Sequence, residues 1–162
     1  MFLYKQMRIK LIPLIIFLLL VSFCGGEETQ TEICEYYLML LEQRIDLDYE
    51  NITRDFYRIT EMYSNNELSE ALARNYYANE FDEEIEDLVT ILYTMNPNEE
   101  NELNHIEIIR NLEEMENALV DMIQWVDTKD DSFAKNGILS FQDADKLIQN
   151  VFNNLTCPVM EN

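Results

Sequence analysis

Thirty-two acidic residues against 11 basic ones give the 162-residue chain a formal charge of −21, which excludes nucleic acid as a partner: a polyanion is repelled, and no Lys/Arg stripe offers counterion release. A hydrophobic content of 48%, with nine Tyr, eight Phe and eight Met, is too rich for a disordered acidic chain, and three Gly and three Pro are too few for strands joined by tight turns. A single histidine also removes Ser-His-Asp and Cys-His catalysis, except through His105 itself.

Lys5, Arg8 and Lys10 precede an apolar run from Leu11 to Phe23 that ends in Cys24-Gly25-Gly26. A charged start, a short apolar stretch and small residues at its end form an export signal. Its uninterrupted apolar part, Leu14 to Phe23, is ten residues, half of the roughly 20 needed to cross a bilayer. Val21-Ser22-Phe23-Cys24 followed by Gly25 and Gly26 resembles a bacterial lipoprotein signal, which implies a lipid on Cys24. Phe23 departs from that pattern, where a small residue normally stands. The competing reading is cleavage by an ordinary signal peptidase after Cys24 or Gly26, with small residues at −3 and −1 (Ser22 and Cys24, or Cys24 and Gly26). On either reading residues 1–24 are a leader, 25–30 a flexible tether and 31–162 one domain, and the product is secreted, periplasmic or held at the cell surface through Cys24. Past residue 24 there are eight basic against 32 acidic residues, a net −24. This disfavours direct adsorption to anionic lipid, so membrane contact is expected only through Cys24, on a monomeric and soluble domain.

Cys34 and Cys157 then bracket the domain, and in an oxidising compartment they are expected to pair. Closing a loop of that length stabilises by roughly 4–5 kcal/mol in the chain-entropy account.

The apolar spacing is helical throughout. Thr29 and Glu32 read as a capping box, and Cys34, Tyr37, Leu38, Leu41, Ile45, Tyr49, Ile52, Phe56, Ile59 and Tyr63 follow at steps of three and four on one face. Ser64-Asn65-Asn66 ends this first helix. The second carries Leu68, Leu72 and Tyr76, then Phe81, Ile85, Leu88, Leu92 and Met95, with a skip in phase near Asn79 that predicts a kink. Asn96-Pro97-Asn98 breaks it. A third helix carries Ile108, Leu112, Met115, Leu119, Met122 and Val126. Polar and small residues from Asp127 through Asn136-Gly137 predict the longest loop, after which Ser140 and Asp143 cap a short fourth helix with Phe141, Ala144, Ile148, Val151 and Leu155. The expected fold is all-α, an up-down-up-down four-helix bundle, which brings the start of the first helix and the end of the fourth to one end, as a Cys34–Cys157 bridge requires.

Asn136-Gly137-Ile138-Leu139-Ser140-Phe141-Gln142-Asp143 resembles the second half of an EF-hand loop. The resemblance implies Asn136, Ser140 and Asp143 as calcium ligands in a 132–143 loop, although Ser132 and Ala134 stand where carboxylates belong and Asp143 replaces the bidentate Glu. Glu102-x-x-His105 has the spacing of di-iron carboxylate bundles, but one histidine cannot complete such a site, and a packed, hydrogen-bonded His105 is expected. The acids Asp82, Glu83, Glu84, Glu86 and Asp87 read as a solvated face. In the pairs Tyr36-Tyr37 and Tyr76-Tyr77 both rings cannot face inward, so one of each lies along the bundle edge or on a docking surface. Asn51-Ile52-Thr53 and Asn154-Leu155-Thr156 are N-glycan acceptor sequons, with Asn51 and Asn154 the candidate sites. The plan is similar to that of small secreted helical cytokines, though those use long crossover loops and here the first three connections are too short.

These readings lead to an exported, acidic helical bundle that binds a protein or forms surface structure without catalysis or cofactor. The alternatives are a carrier of a small apolar ligand in the bundle interior and a weak calcium binder through 132–143.

Overall fold

The computed structural model describes residues 30–155 and 157, so the expected leader, the expected tether up to residue 29, Cys24 and the sequon residue Thr156 lie outside the described residues. Among the described residues the chain is all-helical, with four helices around one core. No helix there is long and apolar enough to cross a membrane. Helix α1 covers 30–64 and α2 covers 70–94, while α3 is Glu102–Thr128 and α4 is Asp131–Asn154.

The two longer-stepped helices carry an irregularity that the spacing explains. An α-helix turns about 100° per residue, so a step of four overshoots one turn by about 40°, and alternating steps of three cancel the drift. In α1 the buried residues Tyr37, Leu41, Ile45 and Tyr49 are separated by three consecutive steps of four. There the helix widens into a π-helical turn at Glu42–Asp46, which returns the apolar face to the core. In α2 the buried residues Ala73, Tyr77, Phe81 and Ile85 repeat that pattern, and a π-helical turn stands at Tyr76–Glu80. This is the phase skip expected near Asn79, but the inward face upstream of it is one residue later than expected. Ala73 and Tyr77 are buried, whereas Leu72 is 54% exposed and Tyr76 half-buried against Phe81. Helices α3 and α4 alternate threes and fours and stay α-helical throughout.

At the centre the Phe56 and Phe141 rings stack 3.7 Å apart and parallel, joining α1 to α4. Tyr57, Tyr77 and Phe81 meet that stack at steep angles. Tyr77 keeps its hydroxyl satisfied 3.0 Å from that of Thr60, itself bonded to the Phe56 carbonyl. The Tyr49 hydroxyl donates to the backbone carbonyl and the carboxylate of Asp145, a second α1–α4 tie.

The connection between α3 and α4 corrects the expected long loop and short fourth helix. It is only Lys129 and Asp130, and α4 has 24 residues. Lys129 takes the left-handed conformation at φ 59° and closes α3 through its N–H to the Trp125 carbonyl at 2.8 Å. Asp130 caps α4 by accepting from the Ser132 N–H at 2.9 Å. The Lys129 ammonium also reaches Glu70 at 2.8 Å and lies over the Tyr63 ring, anchoring the turn to α1 and α2. Gly137, read as a turn residue, sits inside α4 because a side chain has no room: a Cβ there would lie 2.8 Å from Met122 Sδ and 3.0 Å from the Ala118 carbonyl. Small residues at Ala118, Ala134 and Gly137 thus let α3 and α4 approach closely.

Replacing Gly137 by Leu is expected to force these helices apart and cost about 2–3 kcal/mol. Urea unfolding checks it, the midpoint falling while the slope stays constant.

Candidate functional site

One end of the molecule gathers the beginning of α1, the end of α2, the beginning of α3 and Cys157, three residues past α4. Cys34 and Cys157 are joined there by a disulfide, with Cα atoms 5.6 Å apart across a sequence separation of 123. Beneath it lies a buried polar cluster. The Asn101 amide donates to the Asn98 side-chain oxygen at 2.7 Å and to Cys34 Sγ at 3.3 Å, while the Asn101 carbonyl accepts the His105 N–H at 2.9 Å. Asn98 and Asn101 thereby satisfy the polar groups left between α2 and α3 after Asn96-Pro97 ends the second helix.

His105 is packed and hydrogen-bonded, 7% exposed, with Nδ1 3.0 Å from the Tyr37 hydroxyl and the two rings edge to face. Burial pushes its pKa below the ordinary histidine value, against the smaller opposing effect of a backbone hydrogen bond to Leu92. The Tyr37 hydroxyl is pushed up by burial. Both shifts favour the neutral form of the pair. Glu102, the other half of the di-iron-like pair, is exposed and does not converge with His105. No group of three or more His, Cys, Asp or Glu that could hold a metal occurs among the described residues.

The 132–143 segment is helical rather than a loop, which corrects the calcium reading. An EF-hand loop wraps its ion with irregular backbone and side chains from a tight turn. On α4, Asn136, Ser140 and Asp143 instead fall four and three residues apart on an exposed face. Of the sequons, Asn51 is half-buried within α1 and accepts from Arg54 Nη2 at 2.8 Å, while Asn154 is exposed at the end of α4. The acidic run is largely exposed as expected. Glu84 and Glu116 have carboxyls pushed above the usual range, first by partial burial and then by neighbours: Asp55, Glu80 and Asp48 for Glu84, and Asp82, Glu86 and Glu113 for Glu116.

Beside the disulfide end, between α1 and α2, runs a groove of about 460 Å³. Ile33, Leu40, Ile91 and Met95 supply apolar walls, Tyr36 and Tyr37 aromatic ones, and Arg44 the charge. The tyrosine pair is split as its spacing demands. Tyr37 is buried and held through His105, whereas Tyr36 is 61% exposed on the groove. Arg44 sits in the π-helical turn of α1. Sequence reading identified Tyr36-Tyr37 but missed Arg44, Ile91 and Met95, because their meeting depends on how α2 lies against α1. At the centre of the bundle the Phe56 and Phe141 rings lie in stacked contact.

Compared with family models, curated proteins and solved structures, the chain matches none.

Reduction of Cys34–Cys157 is expected to remove roughly 4–5 kcal/mol and lower the melting temperature by about 10–20 °C, read by circular dichroism with and without reductant. His105 binds its proton less tightly in the folded chain than in the unfolded one, where the pKa is near 6.5. Its contribution is therefore fully present above that value and is lost as pH falls below it. Glu84 and Glu116 act in the opposite sense: their raised values make protonation favour the folded state, so they oppose folding at neutral pH and cease to as the medium acidifies. The histidine part is isolated by difference, since the destabilisation caused by His105→Gln is expected to be larger at pH 8 than at pH 5.5 in urea titrations.

Proposed function

We propose that this chain is an exported, non-catalytic binding module, an up-down-up-down bundle that presents a rigid recognition face at its disulfide end. The short connections at 65–69, 95–101 and 129–130 support that topology, since none is long enough for a crossover. The bond from Cys34 at the start of α1 to Cys157, three residues past α4, supports it too. Export is supported by the leader sequence and by a disulfide spanning the domain, a feature of oxidising compartments. Attachment to a membrane, where it occurs, is through a lipid on Cys24, and removal of the leader past Cys24 gives a free product.

The observation that carries the binding reading is the exposed Tyr36 ring on a groove whose floor is fixed from behind by Tyr37, His105 and the disulfide. Tyrosine contributes large contact area with few rotatable bonds, and a fixed floor reduces the ordering cost of binding. Behind the groove Tyr37 and His105 are engaged with one another, as a structural rather than a reacting pair.

Affinity selection followed by mass spectrometry of a metabolite extract tests this. Compounds retained unchanged by the folded protein, and lost on Tyr36→Ala, are the expected result. Compounds consumed with turnover would overturn it.

A further inference from the structure

We infer that the α1–α2 groove is a site for a single-chain anionic amphiphile of the fatty-acid class, its acid head on Arg44 and its tail along Ile33, Leu40, Ile91 and Met95. This rests on the binding reading above and names the ligand class. Three observations meet here. First, the groove follows α1, with Ile33, Leu40, Ile91 and Met95 as its aliphatic lining beside the polar Thr94 and Asn96. Ile33, Tyr36, Leu40 and Arg44 lie along one face of α1, spanning about 16 Å at the helical rise of about 1.5 Å per residue, with the apolar residues first and the guanidinium at the far end. Its volume of about 460 Å³ falls within the range of small-molecule sites.

Second, Arg44 is available. Arg54, Arg58, Arg74, Arg110 and Lys129 each reach a carboxylate within 3.6 Å, while among the described residues Arg44, like Lys135 and Lys146, is in no ion pair, and of these three it alone lines the groove. In a domain with four times as many acids as bases, a guanidinium in no ion pair among the described residues, on the wall of a groove of mixed polarity, is complementary to an external anion. Third, the residue is delivered by the π-helical turn Glu42–Asp46, the segment that resets the face of α1. Such turns recur at functional sites.

The net charge of the domain opposes any anion, but at physiological ionic strength charges beyond a Debye length of about 8 Å are screened. Direct contact with Arg44 is not. The same net charge argues against an anionic bilayer as the occupant, because a membrane would face the whole acidic surface at once, whereas one free amphiphile meets the groove alone.

Calorimetry with dodecanoate below its micellar concentration, in 0.15 M salt, tests the assignment on the oxidised mature domain. One molecule per domain is expected, with affinity reduced at least tenfold by Arg44→Gln, less by Arg44→Lys, and also reduced by Tyr36→Ala. Dodecyltrimethylammonium, which has the same tail and opposite charge, is expected to bind at least tenfold more weakly than dodecanoate. Arg44 is exposed and unpaired, so its variants should melt with the parent. Equal affinity of parent and Arg44→Gln, equal affinity for the cationic amphiphile, or no binding of dodecanoate would each overturn the proposal. Failure of dodecanoate while affinity selection still retains an unchanged compound sinks the ligand class alone; turnover sinks the binding reading beneath it.

Discussion

A helix that must keep one face on a core for many turns has to cancel the mismatch between its own period and that of its side chains. In α3 and α4 the alternation of threes and fours does this residue by residue, and both remain regular. In α1 and α2 three steps of four accumulate, and each helix spends one wider turn to bring its face back. Much else follows from that correction. It allows Tyr37 and Phe56, on either side of the first wide turn, to face the same core, so that one end of α1 reaches His105 and the other the stacked ring of Phe141. It also carries Arg44 to the groove.

The second constraint is electrostatic. With a net −24 past residue 24, the compact state works against its own charge. Its distribution limits the harm. Most acids are exposed, and Arg54, Arg58 and Arg74 pair with carboxylates at the surface, where such pairs contribute little individually. The acids on the two flanks of α2 are crowded enough for Glu84 and Glu116 to feel it. Against this stand the aromatic centre, the close α3–α4 approach and the disulfide, each of which acts without a charge.

The sequence made the helical class and the inward face of α1 legible, because Cys34, Tyr37, Leu41, Ile45, Tyr49, Ile52, Phe56, Ile59 and Tyr63 are all buried as their spacing demands, with Leu38 partly so. His105 was legible as a packed ring from its phase ahead of Ile108. What misled was local chemistry overruled by packing. Asn136-Gly137 has the composition of a turn, yet the glycine is needed where α4 meets Ala118, and the turn is made instead by a left-handed Lys129 that no propensity favours. Leu72 outranks Ala73 in apolar size and Tyr76 equals Tyr77, so the one-residue offset of α2 was hidden. The groove was not legible at all, since its two walls belong to different helices.

The Cys34–Cys157 bond has a topological consequence. It makes the backbone between those residues a closed covalent ring containing nearly the whole folded domain. A protease that severs one peptide bond in any of the three connections opens this ring but releases no fragment, and two cuts are needed before a piece can leave. A single nick then interrupts the backbone without any loss of mass, and both new ends stay tied to the folded domain.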